Sequence, residues 1–206
     1  MFKSMKTLFA LVLLVAAPQA WAEVVLIKME TSYGPVSIEL YPEKAPITVA
    51  NFLKYVDTGK YNNGSFYRVV RMDNQAQNNI KIEVIQGGMG DVPEHERFAD
   101  IPHETTEVTG LKHEDGTISM ARLDPGTASS EFFICVGDQP HLDFGGERNP
   151  DGYGFAAFGK VVSGMDVVRK IQNGKTDMPT DPTKLEYTSG QILIDPVVIK
   201  SIKRSE

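Results

Sequence analysis

Short strand-forming runs broken by glycine dominate this chain, and only two stretches carry helical spacing. That imbalance confines the fold to a mainly β architecture. The strand candidates are residues 24–31, 35–41, 65–70, 80–88, 116–123, 131–136 and 155–162, with a closing run at 191–204 that Pro196 interrupts. Ser32, Tyr33 and Gly34 between the first two read as a hairpin turn. After Pro46, which suits a first helical turn, Val49, Ala50, Phe52, Leu53 and Val56 recur at helical spacing and Gly59 can end the helix. This predicts a helix over 46–58, and a second, shorter one over 164–172. Residues 71–79 are polar and loop-like, and 89–116 read as a long connection carrying charges, Pro93 and Pro102. No linker and no internal repeat divides the chain, so one barrel-like β domain is expected.

The N-terminus reads differently from the rest. Lys3 and Lys6 precede an apolar run too short for a comfortable membrane span, and Ala20-Trp21-Ala22 form a small-x-small cleavage pattern. Residues 1–22 are therefore expected to be a secretory signal peptide, cleaved after Ala22, with 23–206 as the mature domain. This implies a periplasmic or secreted protein with no membrane attachment after cleavage. Losing Lys3 and Lys6 leaves 19 basic residues against 27 acidic ones. That acidic balance, with no basic cluster, argues against nucleic-acid binding. Cys135 is the only cysteine, so no intrachain disulfide can form and the core alone must hold the fold.

Several chemistries drop out. His95, His103, His113 and His141 never fall at metal-ligand spacing, and one cysteine cannot complete a zinc set. Gly87-Gly88-Met89-Gly90 lacks the order of a dinucleotide loop. Ser129 and Ser130 sit in no nucleophile elbow. No metal and no cofactor is expected. One strand stands out: period-2 alternation puts Phe132, Ile134 and Val136 on one face, and Glu131, Phe133 and Cys135 on the other. The same rule puts Arg68 outward, with Tyr67 and Val69 toward the core.

The blocks FYRVV, VIQGG, GTISMA, SSEFFICV, HLD and FAAFGKVVSGMDVV, in this order over about residues 24–202, resemble the cyclophilin family of peptidyl-prolyl cis–trans isomerases, in a form similar to the bacterial periplasmic members. The resemblance implies a closed eight-stranded antiparallel β-barrel capped by two α-helices. It implies an isomerase that turns Xaa–Pro bonds in proline-containing peptides and unfolded exported proteins, acting without a cofactor and as a monomer. The alternative is a proline-peptide-binding chaperone module with weak or no catalysis.

Carried over residue by residue, the resemblance implies that Arg68 is the catalytic arginine and that Gln86 positions it. Phe133 would floor the proline pocket and Leu142 would form a wall. Met120 and Ala121 would lie along the peptide backbone. Departures cluster at the same site. Glu83 and Val84 replace an aromatic–Met pair, Arg122 and Glu131 replace neutral amides, His141 replaces a common Trp, and Phe155 aligns with a histidine. These residues are expected to line the cleft, with Arg122 and Glu131 as an ion pair at its rim, or with Glu131 paired to Arg68.

Overall fold

The computed structural model describes residues 24–90, 92–177 and 187–205, so residues 1–22, expected to be a signal peptide, lie outside the described residues. Eight antiparallel strands close into a barrel: β1 (Val25–Thr31), β2 (Gly34–Leu40), β3 (Gly64–Val70), β4 (Val84–Gly88), β5 (Thr117–Met120), β6 (Phe132–Cys135), β7 (Ala156–Ser163) and β8 (Ile192–Arg204). Around the barrel they run β1-β2-β7-β5-β6-β4-β3-β8. Helix α1 (Pro46–Asp57) and helix α3 (Met165–Gln172) cap it, and a single-turn α2 (Thr106–Thr109) lies in the stretch expected to be plain connection. Closure removes every sheet edge, which a barrel needs if it is not to pair with other chains.

The interior is apolar. Phe52 and Tyr61 reach down to Phe66, Phe132 and Phe158, with ring centroids 5.1 to 5.8 Å apart. Val167, Val168 and Ile171 close the core from α3. On α1 the buried stripe holds Val49, Phe52, Leu53 and Val56 as expected. Tyr55 joins it, while Ala50 faces solvent. Ala45 provides no side-chain cap for α1. Instead the Glu104 carboxylate, 56 residues away from Thr48, accepts the Thr48 N–H at 2.7 Å and the Ile47 N–H at 3.2 Å. Its negative charge at the positive helix end adds to this. Gly164 starts α3 at φ 94°, where a Cβ would stand 2.6 Å from the Pro35 carbonyl oxygen, so no other residue fits without moving β2.

Two irregularities shape the outer wall. Between β3 and β4, Phe66 pairs with Gly87 and Arg68 with Gln86, so Tyr67 is an extra residue. The bulge breaks the alternation: Phe66 and Val69 enter the core, while Arg68 and Val70 face outward. Tyr67 is not a core residue as alternation predicts. Its hydroxyl bonds Glu131 on the outer face. On β8, Val197 pairs with Phe66 and Ile192 with Arg68, so residues 193–196 loop out of that ladder. Pro196, which has no N–H to offer, sits in that excursion.

Candidate active site

The register across β3, β4 and β6 aligns Arg68, Gln86 and Phe133 in one row on the outer wall. Beside this row Val70, Ile82, Val84, Cys135, Leu142 and Phe155 form a second apolar cluster with Phe133, separate from the barrel core. It floors a cleft of about 210 Å³ whose lining also includes Arg68, Gln86, Ala121, Arg122, Leu123, Tyr187 and Thr188. Phe133 is only 5 % exposed, and the Phe155 ring meets it edge-on at 5.3 Å. An apolar hollow with a cationic donor at one wall suits a small ring attached to a polar backbone.

Arg68 is 7 % exposed and firmly held. Its Nη1 donates to Gln86 Oε1 at 2.8 Å, and its Nε and Nη2 both donate to Gln191 Oε1, at 2.9 and 2.6 Å. The Tyr187 ring lies 4.8 Å from the guanidinium carbon. A guanidinium carries five N–H groups. The bonds to Gln86 and Gln191 use three, and the two others, one on each terminal nitrogen, lie outside them, with the Tyr187 hydroxyl as a further neighbour of the guanidinium. Gln191 is fully buried. Burial would raise the Tyr187 hydroxyl's pKa, but the positive fields of Arg68 and Arg148 outweigh it and hold it below the ordinary phenol value.

Other expected residues lie elsewhere. The Met120 side chain is buried in the barrel core, so only its backbone can face the cleft. His141 is exposed and, like Glu131, contributes nothing to the lining. The expected Arg122–Glu131 pair does not form, and Glu131 does not touch Arg68. Arg122 donates instead to both oxygens of Asp151, at 2.8 and 3.0 Å, and twice to the Gly154 carbonyl. Its guanidinium also lies 5.1 Å from the centre of the Phe155 ring. The arginine latches the 144–155 loop, which delivers Phe155 to the cleft. Glu131 accepts from the Tyr67 hydroxyl at 2.7 Å and has no ion pair among the described residues.

The latch is expected to weaken in acid. The hydrogen bonds from Arg122 hold the Asp151 carboxyl below its usual pKa. A carboxyl that binds its proton less tightly when folded stabilises the fold above its unfolded value of about 3.9, and this is lost as pH falls through the lower, folded value. Below about pH 4, the amides of Tyr153, Gly154 and Phe155 are expected to exchange hydrogen faster, after correction for intrinsic rates. Asp151→Asn should raise exchange at neutral pH and flatten that pH dependence. Equal pH dependence in both proteins would remove Asp151 from the latch.

Behind Phe133 lies an arrangement that resembles a hydrolase triad. His113 Nδ1 is 2.8 Å from Asp143 Oδ1, and Nε2 is 3.0 Å from Ser119 Oγ. Ser119 is fully buried and the His113 ring stacks under Phe133 at 6.0 Å. No substrate reaches that hydroxyl, so the three residues buttress the pocket floor. Burial holds the His113 imidazole below its usual pKa against the pull of Asp143.

Sequence reasoning missed Gln191 and Tyr187. The missing signal was a balance of donors: a buried guanidinium needs acceptors, and Gln86 has one oxygen.

The sequence pattern of the family described as "Cyclophilin type peptidyl-prolyl cis-trans isomerase/CLD" matches residues 26–190. The chain belongs to the cyclophilin family. Its cyclophilin relatives include Peptidyl-prolyl cis-trans isomerase B of Escherichia coli, 35% identical over 88% of this chain and all of the relative. A peptidyl-prolyl cis-trans isomerase of Acinetobacter baylyi is 38% identical over 78% of this chain and 82% of its own. Among solved structures, a Cryptosporidium parvum cyclophilin determined in the presence of the dipeptide Ala-Pro superposes with a TM-score of 0.63 at 25% identity, covering 88% of this chain and 99% of that one. This cyclophilin is thus an isomerase of Xaa–Pro peptide bonds.

Proposed function

We propose that the enzyme turns Xaa–Pro bonds of unfolded exported polypeptides in the periplasm or outside the cell, as a monomer, with Arg68 as its catalytic donor. The observation that carries the catalytic reading is the Arg68 guanidinium, clamped by two amide oxygens at the wall of an apolar hollow.

A planar peptide bond resists rotation by about 18–20 kcal/mol because resonance must be lost. At the twisted transition state the prolyl nitrogen becomes pyramidal and regains a lone pair. The planar states present no such lone pair, so an N–H aimed there stabilises the transition state selectively. The remaining N–H groups of Arg68 are the available donors. Phe133, Leu142 and Phe155 would grip the proline ring while the preceding carbonyl swings, with Ala121, at the end of the β5 backbone, alongside the peptide. A pure binder would not need a guanidinium held this rigidly, which favours catalysis over the chaperone reading.

The export reading rests on Lys3, Lys6, the apolar run and Ala20-Trp21-Ala22. Uncatalysed prolyl isomerisation takes tens to hundreds of seconds, slow enough to delay newly translocated chains. Expressed in full in a bacterial host, the protein is expected in the periplasmic fraction with Glu23 as its first residue. Added to a refolding protein whose slow phase is prolyl isomerisation, it should shorten that phase. Retention of the leader in the cytoplasm overturns export, and an unchanged slow phase overturns the folding role.

A further inference from the structure

We propose that Glu131 is a positioning residue for Arg68, acting at a distance through Tyr67 and Gln86. The inference rests on the role assigned to Arg68 above. Arg68 Nη1 donates to Gln86 Oε1 at 2.8 Å, Gln86 Nε2 donates to the Tyr67 hydroxyl oxygen at 3.0 Å, and that hydroxyl donates to Glu131 Oε2 at 2.7 Å.

The chain has a direction. A guanidinium only donates and a carboxylate only accepts, while an amide and a hydroxyl do both. With those two ends, the links between them have one fully bonded arrangement. The amide oxygen of Gln86 must face Arg68, its NH₂ must face Tyr67, and the one phenolic hydrogen must go to Glu131. Burial and the adjacent carboxylate both push the Tyr67 hydroxyl's pKa up, so it keeps that hydrogen.

Glu131 is itself anchored. Its Oε1 accepts the backbone N–H groups of Met89 at 3.1 Å and Gly90 at 3.3 Å. Gly88 makes room for it, since a Cβ there would stand 2.6 Å from Oε1. The bulge that turns Tyr67 outward is what brings its hydroxyl to Glu131. An amide at position 131 could donate as well as accept, so the direction of the chain would no longer be forced from that end.

Tyr67→Phe deletes the link while leaving the bonds from Met89 and Gly90 to Glu131 in place, so it tests the relay with the fold preserved. Its kcat is expected to fall about three- to tenfold with KM unchanged. Glu131→Gln should lower kcat by about two- to threefold, because its oxygen can still accept from Tyr67. In an Arg68→Ala background Tyr67→Phe should cost nothing further. The ¹⁵N-resolved Arg68 Nε–H resonance should shift in both single variants. Wild-type kcat in Tyr67→Phe, or the same fold loss with and without Arg68, overturns the relay. Full activity of Arg68→Ala instead overturns the catalytic assignment beneath it.

Discussion

Arg68→Ala is expected to lower kcat/KM about 10²–10³-fold, the cost of deleting one preorganised donor from a transition state. The loss should fall on kcat, because the planar substrate gives this guanidinium no nitrogen lone pair to meet. Arg68→Lys should recover little. An ammonium lacks the planar fork that reaches Gln86 on one side and Gln191 on the other. Line-shape analysis of a proline peptide exchanging between isomers measures the rate directly. A melting temperature taken on the same samples separates chemistry from folding. Unchanged exchange in a folded Arg68→Ala protein would eliminate the arginine as the donor.

Phe133→Ala should act on the other half of the reaction. The ring is packed against His113 and Phe155 inside the second apolar cluster. Truncating a buried Phe costs about 3–5 kcal/mol of stability, and the open cleft on one side puts this case near the lower figure. The proline ring loses its floor as well. About 2 kcal/mol of lost apolar contact corresponds to a rise in KM of about 30-fold. Phe133→Leu keeps the site apolar and should fold normally, with a KM between the two. If kcat falls in Phe133→Leu while KM stays fixed, Phe133 is not the floor that binds substrate.

Arg68 and Phe133 were legible in the chain because the short blocks that hold them, FYRVV and SSEFFICV, resemble those of a known family. Strand β6 carries no bulge, so alternation correctly assigns Phe132 and Ile134 to the barrel and Phe133 and Cys135 to the second apolar cluster. The same rule fails on β3, where an inserted residue at Tyr67 shifts the phase. Nothing in FYRVV announces that bulge. Partners supplied by distant loops were also hidden. Arg122 and Glu131 carry opposite charges near one site, and pairing them was the economical reading. Asp151 claims Arg122 from a loop, and backbone N–H groups claim Glu131. Gln191, 123 residues beyond Arg68, leaves no mark in any short window of sequence.

The position of that last glutamine ties function to the order in which the molecule is assembled. β8 pairs with β3 on one side and with β1 on the other, so it is the strand that closes the barrel. Gln191 immediately precedes it. Every residue lining the cleft precedes Gln191 in the chain, so the second clamp on Arg68 is the last part of the site to be synthesised. Full catalytic competence therefore arrives only with the final strand, after the enzyme's own most non-local pairing has formed.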